Sequence, residues 1–139
     1  MEKIDRTHWE RAELFEFFSA VSHPFYSVTF RVDVTNLYRY VKERHLSFYY
    51  AMGYLVTDAV NSVKNFRYAI RDGEVWLLDE RIPRLTDLKP GSEQFHIVTL
   101  PKVGGIAEFC ASAQARSAAQ KTLLDQDEEN DNLIYISCT

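Results

Sequence analysis

The stretch Phe66–Glu80, FRYAIRDGEVWLLDE, decides how the rest of the chain is interpreted. Two apolar runs flank Asp72-Gly73, and glycine accepts the positive φ that a tight turn between antiparallel strands requires. The stretch therefore predicts a β-hairpin. Since helical patterns precede and follow it, the sequence predicts an α+β or mixed α/β fold with a largely antiparallel sheet.

Two patterns define the N-terminal part of the chain. Residues 7–10, THWE, have the S/T-x-x-E form of a capping box, which predicts a helix from about Trp9 to about Val21. Residues 25–34, FYSVTFRVDV, are rich in β-branched and aromatic side chains. This composition predicts a strand.

Two helices are predicted before the hairpin. Thr35 is a candidate cap for a short helix that runs to about Arg44. Ser47 is a candidate cap for a longer helix over residues 48–63, FYYAMGYLVTDAVNSV. The apolar residues of this second helix lie around most of its surface, which is typical of a buried helix.

The half of the chain after the hairpin alternates strands and a helix. In order, it predicts strands over Arg84–Leu88 and Gln94–Leu100, a helix over residues 106–124 after Gly104-Gly105, an acidic loop over residues 125–132, and a final strand over residues 132–139, NLIYISCT. The final strand carries apolar residues on both faces. This pattern favours a strand that is covered on both sides.

Length, composition and charge limit the classes of protein to which the chain can belong. The chain has 139 residues, of which 46% are hydrophobic and 14% aromatic, which is typical of one globular domain. The net charge of −4 and the lack of a Lys/Arg cluster argue against a nucleic-acid partner. No apolar run approaches the roughly 20 residues of a membrane span, and the N-terminus lacks the apolar region of a signal peptide. We therefore expect a cytoplasmic protein with no membrane partner.

Cysteine and histidine usage gives few signs of chemistry. Cys110 and Cys138 do not form a disulfide framework and are interpreted as small, buried apolar residues in a reducing compartment. The four histidines occur in no metal-binding spacing, so no metal site is expected. His23, in a loop, and His96, on a strand and facing opposite to Phe95, are the candidates for a catalytic base.

Two further motifs are weak. The acidic loop places carboxylates at alternate positions, as a calcium loop does, but Asn130 stands where that loop has glycine and Ile136 where it has a bidentate glutamate. A solvated loop is the better interpretation. Gly104-Gly105 before a helix lacks the spacing of a phosphate-binding fingerprint and is interpreted as a turn into that helix.

Three separated blocks, in order, resemble the chloramphenicol acetyltransferases. WERAELF at residues 9–15 is similar to that family's W-x-R-x-E-x-F opening helix. The blocks LSFYYAMGYLVTDAVN and FRYAIRDGEVWLLDE, over residues 46–61 and 66–80, resemble the family's F-Y-P and K/R-D-G-E…W-D region. IYISCT at residues 134–139 resembles the strand that leads to a Pro-Trp pair. Tyr50 stands where the family has the proline after F-Y.

The resemblance implies a fold and an activity. The fold is a two-layer α/β sandwich of the CoA-dependent acyltransferase type, with a mixed, mostly antiparallel sheet. The enzymes move an acetyl group from acetyl-CoA, as co-substrate, to a hydroxyl of chloramphenicol, and so confer antibiotic resistance. They are homotrimers in which one subunit supplies a histidine base and its neighbour supplies most of the aromatic pocket.

The resemblance also implies roles for particular residues. Ser137 matches the serine whose hydroxyl hydrogen-bonds the oxyanion of the tetrahedral intermediate, and Arg11 matches an arginine that organises the site through the aspartate of H-H-x-x-x-D-G. The residues that match positions of the antibiotic pocket are Phe17, Phe18, Tyr26, Thr86 and Phe95. For Phe17 and Phe18, packing in the core or between subunits is an equal alternative.

The histidine motif itself is absent from the 139 residues, which contain no adjacent histidine pair. We therefore expect residues 1–139 to be a single domain, truncated at its C-terminus, that matches the N-terminal two-thirds of the family. We also expect this chain alone to be inactive. The alternatives are a non-catalytic remnant that binds ligand or assembles with relatives, and an incomplete reading of a longer gene.

Overall fold

The structure is a computed structural model that describes residues 1–89, 91–124 and 130–138. Within these residues, after a short first strand, three consecutive helices precede four consecutive strands, and a fourth helix leads to the last strand. The elements, in chain order, are β1 (Glu2–Lys3), α1 (Ala12–Ser19), α2 (Thr35–Glu43), α3 (Phe48–Ser62), a 3₁₀ turn (Lys64–Arg67), β2 (Tyr68–Arg71), β3 (Glu74–Leu77), β4 (Ile82–Leu88), β5 (Phe95–Thr99), α4 (Ile106–Ala119) and β6 (Leu133–Ile136).

The strands form two small sheets rather than one. The first has the order β1-β3-β2 and is antiparallel throughout. The second has the order β5-β4-β6, in which β4 pairs antiparallel with β5 and parallel with β6. The predicted mixed α/β class with mostly antiparallel pairing is confirmed.

The hairpin at the centre of the sequence is confirmed. β2 and β3 pair antiparallel with Arg71 opposite Glu74, which leaves Asp72 and Gly73 as the two loop residues. Both have positive φ, 51° and 76°, the combination that a tight two-residue hairpin loop with the right-handed twist of its strands requires.

Helix α3 packs against β4 at the centre of the core. Ser47 is its N-cap and accepts a hydrogen bond from the Tyr50 backbone N–H, as predicted. Gly53 permits the close approach, because a Cβ at this position would lie 2.9 Å from Cδ2 of Leu85. The buried apolar cluster around this contact consists of Val41, Tyr50, Ala51, Leu85, Val98, Leu100, Phe109, Cys110 and Ala113.

The capping-box prediction was wrong. Helix α1 begins at Ala12 rather than near Trp9, and its N-cap, Arg11, makes no side-chain capping bond. Thr7 is used elsewhere: its hydroxyl and its backbone N–H both donate to Asp5 Oδ1, at 2.6 and 3.0 Å. These bonds, with a contact from His8, lower the pKa of Asp5 to about 2 and hold the segment in a turn.

The strand predicted over residues 25–34 is also absent. These residues are extended but have no strand assignment, and all but Val34 are exposed. Tyr26 has 90% of its surface exposed. Strand propensity reports how well side chains fit a pleated, half-buried surface, and this segment has no neighbouring strand within the described part of the chain. We call residues 22–34 the aromatic arm.

The remaining boundaries differ by a few residues. Helix α2 is confirmed, but Thr35 is its first helical residue and not its cap, and the Thr35 backbone N–H donates to Asp33. Helix α4 ends at Ala119, earlier than predicted. β6 is an edge strand rather than one covered on both sides, with Tyr135 exposed. Most of the acidic loop, residues 125–129, lies outside the described residues.

Candidate active site

A cleft opens on β4 just beyond its pairing with β6. That pairing ends at Leu85 opposite Ile136, while β4 continues to Leu88. The cleft has a volume of about 410 Å³ and is lined by Tyr49, Thr86, Asp87, Leu88, Phe95 and Cys138. We call it the β4 cleft. Its aromatic and apolar lining with a few polar groups is typical of a small-molecule site.

Tyr49 links helix α3 to this cleft. Its hydroxyl donates a hydrogen bond to the backbone carbonyl of Thr86, which lies one residue beyond the last β4–β6 pair, Leu85 and Ile136. Burial is the main cause that raises the pKa of Tyr49, and the proximity of Cys138 and Asp87 raises it further. The hydroxyl therefore remains a neutral donor, close to both of these residues.

A buried polar network lies behind the cleft. Asp87 Oδ2 accepts hydrogen bonds from the hydroxyl of Tyr50 and from Ser117 Oγ, the latter at 2.5 Å. Ser117 Oγ also lies 2.9 Å from His96 Nε2, whereas His96 Nδ1 is buried without a hydrogen-bond partner. The network thus joins α3, β4, β5 and α4.

On β4 and β5, residues of the polar network stand next to residues that line the cleft. Asp87 stands between Thr86 and Leu88, and His96 is directly opposite Asp87 in the β4–β5 pair. Because side chains alternate along a strand, Asp87 and His96 reach the helices while Thr86 reaches the other face. Burial, and then the hydrogen bond to Asp87, raise the pKa of Tyr50 to about 12.

The structure brings together part of the predicted pocket. Thr86 and Phe95 both line the β4 cleft. Ser137 directly follows the end of β6 and is exposed, and its neighbour Cys138 lines the cleft. The predicted oxyanion donor therefore lies in the segment that borders this site.

The other predicted residues lie apart from it, around α1. Arg11 and Phe18 line a second cleft, of about 380 Å³, together with Trp9, Pro24 and Tyr68. We call it the α1 cleft. Phe17 packs edge-on against Phe18 with the ring centroids 5.2 Å apart, and is otherwise exposed. Tyr26 extends into solvent from the aromatic arm.

Among the described residues, no histidine lines the β4 cleft. His8 is exposed and contacts Asp5 at 2.8 Å, and His23 is exposed beside Ser22. His45 follows the C-cap of α2, has a positive φ of 53° and is exposed. His96 is buried and faces the helices, opposite to Phe95 as its alternation predicted.

Two other kinds of feature are absent from the described residues. They contain no cluster of three or more His, Cys, Asp or Glu side chains that could hold a metal ion. No helix in the described part of the chain combines the length and apolarity needed to cross a membrane.

Sequence reasoning missed Tyr49, Tyr50, Asp87 and Ser117. The alternation in RLTDL places Asp87 on the face of Leu85, which is a core face, and this is an available signal of a buried carboxylate. This alternation does not by itself predict the polar network, because the network depends on the strand register that places Asp87 opposite His96. Ser117 lies 21 residues from His96 and joins it only through the packing of α4 on the sheet.

The fold and its relatives define the class of protein. A solved chloramphenicol acetyltransferase matches it with a TM-score of 0.81 and 25% sequence identity, over 98% of this chain and 69% of that one. The fold is therefore that of an α/β acetyltransferase. The family model for chloramphenicol acetyltransferase matches residues 1–139.

Curated relatives agree with this match. A chloramphenicol acetyltransferase of Clostridium perfringens is 39% identical over 95 residues, which are 68% of this chain and 44% of the relative. Chloramphenicol acetyltransferase 3 of Escherichia coli is 30% identical over 138 residues, 97% of this chain and 65% of the relative. The chain belongs to the chloramphenicol acetyltransferase family, and it spans less than two thirds of the length of these relatives.

Proposed function

We propose that this chain contributes to an acetyltransferase that moves an acetyl group from acetyl-CoA to a hydroxyl of chloramphenicol or a similar aromatic acceptor. The observation that carries this proposal is the β4 cleft, in which Thr86 and Phe95 meet and which the segment carrying Ser137 borders. An apolar wall with a few hydroxyl groups suits an aromatic alcohol.

The proposed roles follow from the chemistry of acyl transfer. A base removes the proton of the acceptor hydroxyl, whose oxygen then attacks the acyl carbonyl and generates a tetrahedral oxyanion. Ser137 is the proposed donor to that oxyanion, and removing one such donor typically lowers the rate by about 10²–10³-fold. Phe95 is the proposed apolar wall against the acceptor ring, with Thr86 beside it.

The acyl donor has no proposed residues in this chain. Acetyl-CoA carries phosphates, which proteins bind with cations or with backbone N–H groups at helix N-termini. The described residues that line the β4 cleft include no lysine or arginine, so the cleft fits the acceptor and not the phosphorylated donor.

The aromatic arm and α1 are the proposed surface toward a neighbouring subunit. Several large apolar residues there are more than half exposed, namely Leu14, Phe17, Phe25, Tyr26, Val28, Phe30 and Val32. Patches of this kind mark protein interfaces. A homotrimer in which Phe17, Phe18 and Tyr26 complete the neighbour's pocket, and in which Arg11 organises the site, accounts for their distance from the β4 cleft.

The test is a thiol-release assay with acetyl-CoA and chloramphenicol. We expect no turnover from the 139-residue chain alone, because no described histidine lines the cleft. Turnover at the rate of a full-length family enzyme would contradict this expectation. His96→Gln and His23→Gln would then identify the base.

A second candidate function is acceptor binding without turnover, which the same lack of an imidazole at the cleft favours. Calorimetry with chloramphenicol distinguishes a chain that binds the acceptor without turnover from a chain that neither binds it nor turns it over. We expect saturable binding that Phe95→Ala weakens about tenfold or more. Phe66→Ala, which removes an exposed ring of the 3₁₀ turn outside both the β4 cleft and the aromatic arm, is the matched control. Equal losses in the two variants would refute the assignment of the cleft.

A further inference from the structure

Asp87 is a lining residue of the β4 cleft, and its carboxylate is fixed directly behind that lining. Its Oδ2 accepts from Tyr50 and Ser117, and its Oδ1 accepts from the Leu88 backbone N–H at 2.9 Å. All three partners are donors, and an ionised carboxylate is acceptor-only, so the surroundings match the charged form. The bonds also fix the carboxylate in position beside the cleft.

Within the described residues, Asp87 takes part in no ion pair, and the other residues that line the cleft are Tyr49, Thr86, Leu88, Phe95 and Cys138, none of them cationic. The charge also acts at the cleft lining, because it is one cause of the raised pKa of Tyr49. A charge in a partly desolvated cleft acts more strongly on a ligand than the same charge in water.

We propose that Asp87 determines the charge preference of the β4 cleft, which accepts a neutral or cationic aromatic alcohol and disfavours an anionic one. The identity of the acceptor rests on the proposed function, whereas the charge of the cleft does not. Tyr50 and Ser117 act through Asp87 as positioning residues. The aspartate would thus set which hydroxyl compounds reach the site.

The chain contains its own reporter of this charge. Cys138 lines the same cleft and is an exposed free thiol, whereas Cys110, the other cysteine, is buried. The rates at which Cys138 reacts with cationic aminoethyl and anionic sulfonatoethyl methanethiosulfonate measure the local potential. Their ratio cancels any change in the general accessibility of the thiol, and Cys138→Ser identifies the reacting group.

We expect Asp87→Asn to lower the ratio of cationic to anionic rates about tenfold. Asp58→Asn is the matched control, since Asp58 is ion-paired with Lys102 away from the cleft and its loss changes the net charge equally. This control should change the ratio less than about twofold. Equal effects of the two variants would overturn the proposal.

If Asp87→Asn does not fold, the dependence of the rate ratio on ionic strength in the wild-type chain tests the proposal instead. In the wild-type chain the rate ratio must fall toward that of free cysteine as ionic strength rises. A ratio already equal to that of free cysteine at low salt overturns the proposal.

Ligand affinities separate this inference from the proposed function. The probes are chloramphenicol, its cationic deacylated amine and the anionic N-succinyl derivative of that amine, all of which keep both hydroxyl groups. Binding of the first two with about tenfold or greater weakening of the third supports both ideas. Binding of none contradicts the proposed acceptor, and the thiol ratio still decides the role of Asp87. Equal binding of all three overturns the role of Asp87 and leaves the acceptor in place.

Discussion

Tyr50→Phe removes one hydroxyl from the buried network and leaves the ring in the core. Hydrogen bonds to a charged partner contribute about 1.5–3 kcal/mol to stability. Burial is the larger cause of the rise in the pKa of Tyr50 to about 12, and the hydrogen bond to Asp87 is the second. From the hydrogen bond alone we expect the free energy of unfolding to fall by about 1.5–3 kcal/mol at pH 7 in urea titrations.

The raised pKa of Tyr50 predicts how the stability difference between wild type and Tyr50→Phe changes with pH. The folded state raises the pKa of Tyr50, so its stabilisation is complete below the unfolded value near pH 10 and is lost as the pH rises toward 12. The difference between wild type and Tyr50→Phe should therefore be constant below pH 10 and shrink above it.

Tyr54→Phe is the matched control for this variant. Tyr54 lies on the same helix, and its hydroxyl donates to an uncharged acceptor, the Gly104 carbonyl, at 3.3 Å. We expect it to lower the free energy of unfolding by less than about 1 kcal/mol. If Tyr50→Phe destabilised the protein no more than Tyr54→Phe does, the network would not stabilise the fold as argued.

Two further predictions concern the core and the thiols. Leu85→Ala should lower the free energy of unfolding by about 2–5 kcal/mol, because Leu85 has 0% of its surface exposed. Leu88→Ala, on the same strand but exposed, should lower it by less than about 1 kcal/mol in the same urea titration; equal losses would contradict the placement of the core. With a thiol-reactive dye, Cys138 should react in the native protein, while Cys110 should react only after unfolding, since burial covers it and raises the pKa of its thiol. Two fast thiols would refute this.

Local chemistry predicted the elements that depend on a few adjacent residues. Asp72-Gly73 specifies its own turn, and Ser47 caps α3 with bonds that span three residues. Thr7 met the same sequence criterion but is held by Asp5, a competing acceptor two residues away. A capping motif therefore predicts a helix start only where no nearer acceptor competes for the hydroxyl.

The failed strand over residues 25–34 shows a different limit. Its side chains suit a sheet, but a strand also needs a partner whose position depends on the whole fold. The same holds for the candidate site. Thr86 and Phe95 could be named from the family resemblance, whereas the link from Asp87 through Ser117 to His96 depends on strand register and helix packing, which no local pattern encodes.

The most direct test of the account is to locate chloramphenicol on this chain by methyl-resolved NMR. We expect the methyl resonances of Thr86 and Leu88 to shift in a saturable way, since both residues line the β4 cleft. The methyl resonances of Leu14, which lines the α1 cleft, should not move. Saturable shifts at Leu14 with none at Thr86 and Leu88 would contradict the claim that the β4 cleft is the acceptor site.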